Sequence, residues 1–135
     1  MPDSKAFIDT NILLYLLSSD TEKANRAETI MQSGGLISVQ VLNEFTNVVR
    51  RKQLLSWIEI TEVLDLISSI FQVVPLTLEM HTKGRFIAER YILNVYDAMI
   101  VSSALLGGCE ILYSEDMQDK LVIEDQLRIC NPFIE

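Results

Sequence analysis

The chain has 135 residues, 49% of them hydrophobic, and a formal charge of −8 from 19 acidic and 11 basic side chains. That length suits one domain, residues 1–135, with a continuous core, and the acidic balance excludes the basic footprint of a duplex-DNA reader. No apolar run approaches the roughly 18–20 residues of a membrane span and the start lacks a secretory pattern, so a soluble, cytoplasmic protein is expected.

Residues 6–8 (AFI) read as a strand, and DTN (Asp9, Thr10, Asn11) separates it from an apolar run over 12–17. An amphipathic helix is predicted over 22–33, closed by Gly34 and Gly35. A second strand at 36–39 (LISV) leads into VQVLNEFTNVVRRK, where Val41, Leu42, Phe45, Val48 and Val49 form one helical stripe. Ser56 and Glu59 have capping-box spacing and open a helix running to about Phe71. A strand at 73–76 (VVPL), helices over 78–93 and 96–106, and strands at 110–113 (EILY) and 127–130 (LRIC) complete the chain. Strands alternating with one or two helices predict an α/β sandwich whose five-stranded, mainly parallel sheet is covered on both faces. Ligands of such sheets bind at the carboxyl ends of the strands.

That rule gives the acidic residues their interest. Asp9 directly follows the first strand and Asp116, in LYSEDMQD, the fourth, so both fall at one rim. Asp97 shares a helical face with Ile100, Val101 and Ala104, where a carboxylate needs a partner or a cation. A helix N-cap is its alternative role. Glu44 lies on the flank of its stripe, between Val41 and Val48, with an ordinary exposed position as the alternative. Four such acids without His or Cys suit Mg²⁺ or Mn²⁺, and paired ions of this kind support in-line phosphodiester displacement. The two cysteines, Cys109 and Cys130, lack ligand spacing and read as reduced thiols, and the single His81 disfavours histidine catalysis. A nucleic-acid substrate would need local positive charge, from metal or from Arg50, Arg51, Lys52, Lys83, Arg85 and Arg90. Arg50 to Lys52 equally suit a helix C-terminus, where they complement the dipole.

FIDTN, the Glu of VLNEF, YDAMIVSSA and LYSEDMQD together resemble the four signature segments of PIN-domain proteins, in particular the VapC-like toxin ribonucleases of type II toxin–antitoxin systems. The resemblance runs in order along essentially the whole chain. It implies a three-layer α/β/α sandwich, Mg²⁺- or Mn²⁺-dependent endoribonuclease activity, a homodimer, and a small antitoxin that blocks the site. Carried over by position, Asp9, Glu44 and Asp97 would be the core metal-ligating and catalytic acids and Asp116 the fourth. Thr10 and Asn11 would support the first acid, and Ser114 stands for the Thr often found before the fourth. Asp119 occupies a position that is non-acidic in many relatives; it is either an accessory acid or, as expected here, solvent-exposed.

Three other readings are weaker. A phosphoacceptor receiver domain needs paired acids after strand one, an acceptor Asp after strand three and a Lys after strand five, and only Asp9 is present. A haloacid-dehalogenase phosphatase needs D-x-D where Asn11 stands. A catalytically weak RNA-binding or scaffold protein of the same fold is disfavoured by the full set of acids. Among apolar residues of 40–71, Phe45, Leu54, Leu55 and Trp57 are candidates for an antitoxin groove, although core packing is the expected role of most.

Overall fold

The computed structural model describes residues 5–134. β1 (Ala6–Ile8), β2 (Leu36–Ser38), β3 (Gln72–Val74), β4 (Ile111–Tyr113), β5 (Val122–Ile123) and β6 (Leu127–Cys130) form one sheet in the order β3-β2-β1-β4-β6-β5. Every pair is parallel except β5 with β6. β5 is a sixth strand beyond the expected five. β3 starts at Gln72 and ends before Pro75, which has no N–H to offer a ladder.

Among the described residues six α-helices connect the strands and complete a three-layer α/β/α sandwich: α1 (Thr10–Leu14), α2 (Thr21–Met31), α3 (Val39–Arg51), α4 (Trp57–Ile70), α5 (Leu78–Tyr91) and α6 (Val95–Leu106). Each begins on a side chain that accepts a backbone N–H of its first turn: Asp9, Asp20, Ser38, Ser56, Thr77 and Asn94. Ser56 and Glu59 make the reciprocal capping box that their spacing predicts. α1 packs on α3 and α3 on α4, while α5 packs on α6, which lies against β2 and β4.

Strand order fixes where a ligand can bind. From β1 the chain moves to one side through β2 and β3, then returns to the other flank of β1 as β4. The connections therefore leave β1 and β4 in opposite directions, opening a crevice at their carboxyl ends. Ile8 pairs with Tyr113, and the Asp9 N–H continues the ladder onto the Tyr113 carbonyl at 3.0 Å. At the opposite end, Gly35 permits a close approach of β2 to β1. Its φ is +132° and a Cβ there would lie 2.5 Å from the Ala6 carbonyl oxygen.

Phe7, Ile8, Ile37, Leu112 and Ile129 are fully buried at the centre of the core. The suggested antitoxin residues divide. Phe45 is fully buried and Leu55 half-buried against the core, but Leu54 is 78% and Trp57 60% exposed. Both cysteines are free thiols, and burial pushes that of Cys109 up to about 11. His81 lies exposed on α5. No helix among the described residues is long and apolar enough to cross a membrane.

Candidate active site

Asp9 ends β1 and caps α1, so its side chain stands in the β1–β4 crevice. It is only 5% exposed. Oδ1 accepts the Thr10 N–H at 2.7 Å, and Oδ2 accepts the Ser114 hydroxyl at 2.8 Å and the Asn11 amide at 3.1 Å. Burial pushes its carboxyl up from 3.8 to about 6; the Ser114 and Thr10 bonds oppose this, while the Asp97 and Glu44 charges reinforce it.

Ser114 is the hub on the β4 side. Fully buried, it donates to Asp9 and accepts the N–H groups of Asp116 and Met117, both at 3.3 Å, with the Asn11 amide at 3.5 Å as a further, longer donor. Asn11 bridges the two strand ends: its amide also donates to Asp116 Oδ2 at 3.1 Å, and its carbonyl accepts the Glu115 N–H at 3.0 Å. Thr10 donates its hydroxyl to Glu44 Oε1 at 2.8 Å, tying α3 to the same rim. DTN thus supplies one acid and two side chains that hold other acids.

Asp97 is half-buried in the first turn of α6, above the buried Ile100, Val101 and Ala104. It is not the N-cap. Asn94 is, accepting the Asp97 N–H at 2.9 Å while its own amide donates to Asp97 Oδ2 at 2.9 Å. Burial first, and then the Asp116 charge, raise the Asp97 carboxyl, against the Asn94 bond. Asp9 therefore feels Glu44 and Asp97, Asp97 feels Asp116, and neither ion pair among the described residues involves any of these four acids.

Hard oxygen donors carrying unrelieved like charge fit a divalent cation. As placed, however, the acids do not close around an ion: among the described residues no three of His, Cys, Asp or Glu form a ready ligand set. Glu44 is drawn to Thr10 and Asp97 to Asn94, so the expected ligands share a rim without yet sharing a point.

Asp119 is half-buried rather than solvent-exposed, and its Oδ1 accepts the Asn131 N–H at 2.8 Å, which fastens the segment after β6. Of the basic residues, Arg50 donates to the Leu55 carbonyl at 2.8 Å and lies over the Trp57 ring, so it shapes the α3–α4 turn. Lys83 pairs with Glu124 at 2.7 Å. Sequence reasoning missed Glu115, Lys23, Tyr15 and Asn94. Glu115 turns away from the acids to Lys23 at 2.7 Å and Tyr15 at 2.6 Å; burial works to raise its carboxyl, but these bonds outweigh it and hold it low. The N-x-x-D spacing of Asn94 and Asp97 is a legible capping signal, whereas nothing local links Glu115 to Lys23.

Two hollows flank the acids. One, of about 610 Å³, is lined by Asn11, Leu14, Tyr15, Ser18, Gln53 and Glu115. The other, of about 330 Å³, adjoins Glu44 between α3 and the start of α6.

The family model of the PIN domain matches residues 6–122. No curated protein matches the sequence. Similar solved structures include a toxin–antitoxin complex from Klebsiella pneumoniae, 20% identical over 96% of this chain and 98% of that one, with a TM-score of 0.74. VapC20 of Mycobacterium tuberculosis, a sarcin-ricin loop cleaving toxin, is 17% identical over 83% and 90%, with a TM-score of 0.68. VapBC2 from Rickettsia felis, bound to a DNA fragment from its promoter, is 19% identical over 93% and 98%, with a TM-score of 0.67. At these identities the likeness is one of fold. The chain belongs to the PIN-domain family, and its fold is VapC-like.

Proposed function

We propose that this chain is a divalent-metal-dependent endoribonuclease, the toxin of a toxin–antitoxin pair. The observation that carries the reading is that Asp9, Glu44, Asp97 and Asp116 of a PIN domain lie close enough along one rim of the sheet for their charges to be felt in turn, with no ion pair to any of them among the described residues. These four acids would hold Mg²⁺ or Mn²⁺, which when bound supplies Lewis acidity for phosphodiester hydrolysis. Thr10, Asn11 and Ser114 fix Glu44, Asp116 and Asp9 in place, and Asp116 or another of these acids would orient the water and take its proton as it adds to phosphorus, while the bond from phosphorus to the ribose oxygen in line with it breaks and that oxygen leaves with a proton from solvent. The cleavage activity named for VapC20 supports RNA as the substrate class.

The antitoxin expectation draws support from the two neighbours described as complexes, and the exposed Leu54 before α4 and Trp57, Ile58 and Leu66 on it offer it apolar anchors. A homodimer is proposed on the family resemblance alone. The test is RNA cleavage with Mg²⁺ or Mn²⁺, with chelator, and with Asp9→Asn. Cleavage should need the cation and fall to background in a variant whose circular dichroism is unchanged; wild-type cleavage by Asp9→Asn overturns the assignment. The open arrangement of the acids favours a second reading, an RNA-binding PIN chain of weak catalysis. Metal binding by titration without cleavage of a broad RNA panel selects that one.

A further inference from the structure

The hollow beside Glu44 is lined by Gln40, Asn43, Asn47 and Tyr96 besides Glu44 itself. Asn43 and Asn47 stand one turn apart on α3, so their carboxamides face the same way. Both are exposed, and neither side chain makes a hydrogen bond among the described residues. Gln40 donates to the Tyr96 carbonyl at 3.4 Å, tying α3 to the first turn of α6. Tyr96, the residue before Asp97, is 68% exposed.

This chemistry selects its ligand. Among the described residues no Lys or Arg lines the hollow and Glu44 is acidic, so a phosphate is disfavoured in it. A carboxamide presents a donor and an acceptor side by side, the pattern that matches a base edge. An exposed aromatic ring offers the stacking face on which unpaired bases are held. About 330 Å³ is at the lower end of small-molecule sites and suits one nucleotide.

We propose that Asn43, Asn47 and Tyr96 form a subsite that holds and reads one unpaired RNA base next to the scissile phosphate. The subsite lets an acidic chain engage a polyanion through bases, where its charge does not repel. The inference rests on the ribonuclease reading, so its test separates the two. A short fluorescent RNA of randomised sequence is titrated, with Mg²⁺ present, into full-length Asp9→Asn protein with and without Tyr96→Ala, Tyr96→Phe, or Asn43→Ala with Asn47→Ala. Tyr96→Ala should weaken binding on the order of 5- to 100-fold, as loss of one stacked base does. Tyr96→Phe should keep the parent affinity, and thermal melts should match the parent. The same RNA annealed to its complement should compete poorly. In the chain with Asp9 intact, the paired Asn variant should relax base preference at one position beside the cut, read by sequencing the products of a randomised pool. Unchanged affinity in Tyr96→Ala, equal competition by the duplex, or unchanged preference in the Asn variant overturns the subsite and leaves the ribonuclease reading standing. A wild-type chain that neither binds nor cleaves RNA overturns both.

Discussion

Burial and the Glu44 and Asp97 charges favour a protonated carboxyl at Asp9, whereas Ser114 and the Thr10 N–H favour its anion. The balance leaves the folded-state value at about 6 against 3.8, a shift that corresponds to about 3 kcal/mol. Because the folded value is raised, the associated stability is present below about pH 3.8 and is lost as pH rises through about 6. In chelator, urea unfolding should therefore show wild type losing about 2 kcal/mol relative to Asp9→Asn between pH 4 and pH 6.5. A constant difference between the two proteins would refute this. Ser114→Ala removes the hydroxyl that donates to Asp9 and strands two N–H groups, so it should destabilise by about 1–3 kcal/mol, more at pH 7 than at pH 4. Asn11→Ala should weaken metal binding by about 10- to 100-fold in a calorimetric titration, because it removes the bonds that orient Asp9 and Asp116 toward each other. The sequence placed Asp9 and Asp116 at the rim because strand ends are local features. It was silent on Glu115, whose carboxylate is chemically like its neighbour's but is claimed by Lys23, 92 positions away.

At the scale of elements, the site depends on β1 and β2 lying close enough to bring α3 and α1 to one rim. Gly35 is where that approach is tightest. Gly35→Ala combines an unfavourable backbone conformation with a contact against the Ala6 carbonyl and should destabilise by about 3 kcal/mol or more, read as a lower urea midpoint. A midpoint equal to wild type would mean the strands can separate without consequence. Gly34 and Gly35 were legible as a helix stop, but their role against β1 depends on parallel pairing between chain segments some thirty residues apart, which local pattern does not report. β5 went unread for another reason. It is two residues long, and its turn into β6 places Glu124 and Asp125 at positive φ without any glycine to signal it. Contacts made elsewhere hold that turn: Lys83 pairs with Glu124, and the Glu124 N–H donates to the Tyr91 hydroxyl at 2.9 Å. The parallel strands, by contrast, were readable because burial on both faces makes them short apolar runs.

For the whole molecule the governing quantity is charge. A net −8 spread over the surface is screened by ordinary salt, with a Debye length of about 10 Å at 0.1 M, whereas carboxylates gathered in a crevice are screened far less. The two contributions to stability are therefore separable. Sodium chloride should relieve the diffuse part, and Mg²⁺ or Mn²⁺ at equal ionic strength should add a further part by binding the folded chain alone. At a concentration one hundred times its dissociation constant, such a ligand stabilises by about 2.7 kcal/mol. For a chain of this length that amounts to roughly 10 °C in melting temperature. Asp97→Asn should lose this extra rise while retaining the response to sodium chloride, since it removes a carboxylate of the crevice and little of the total charge. The rise should also shrink toward pH 5, where protons compete for Asp9. If Mg²⁺, Mn²⁺ and sodium chloride raise the melting temperature equally at matched ionic strength, the four acids hold no cation, and the metal-dependent reading of the crevice fails with them.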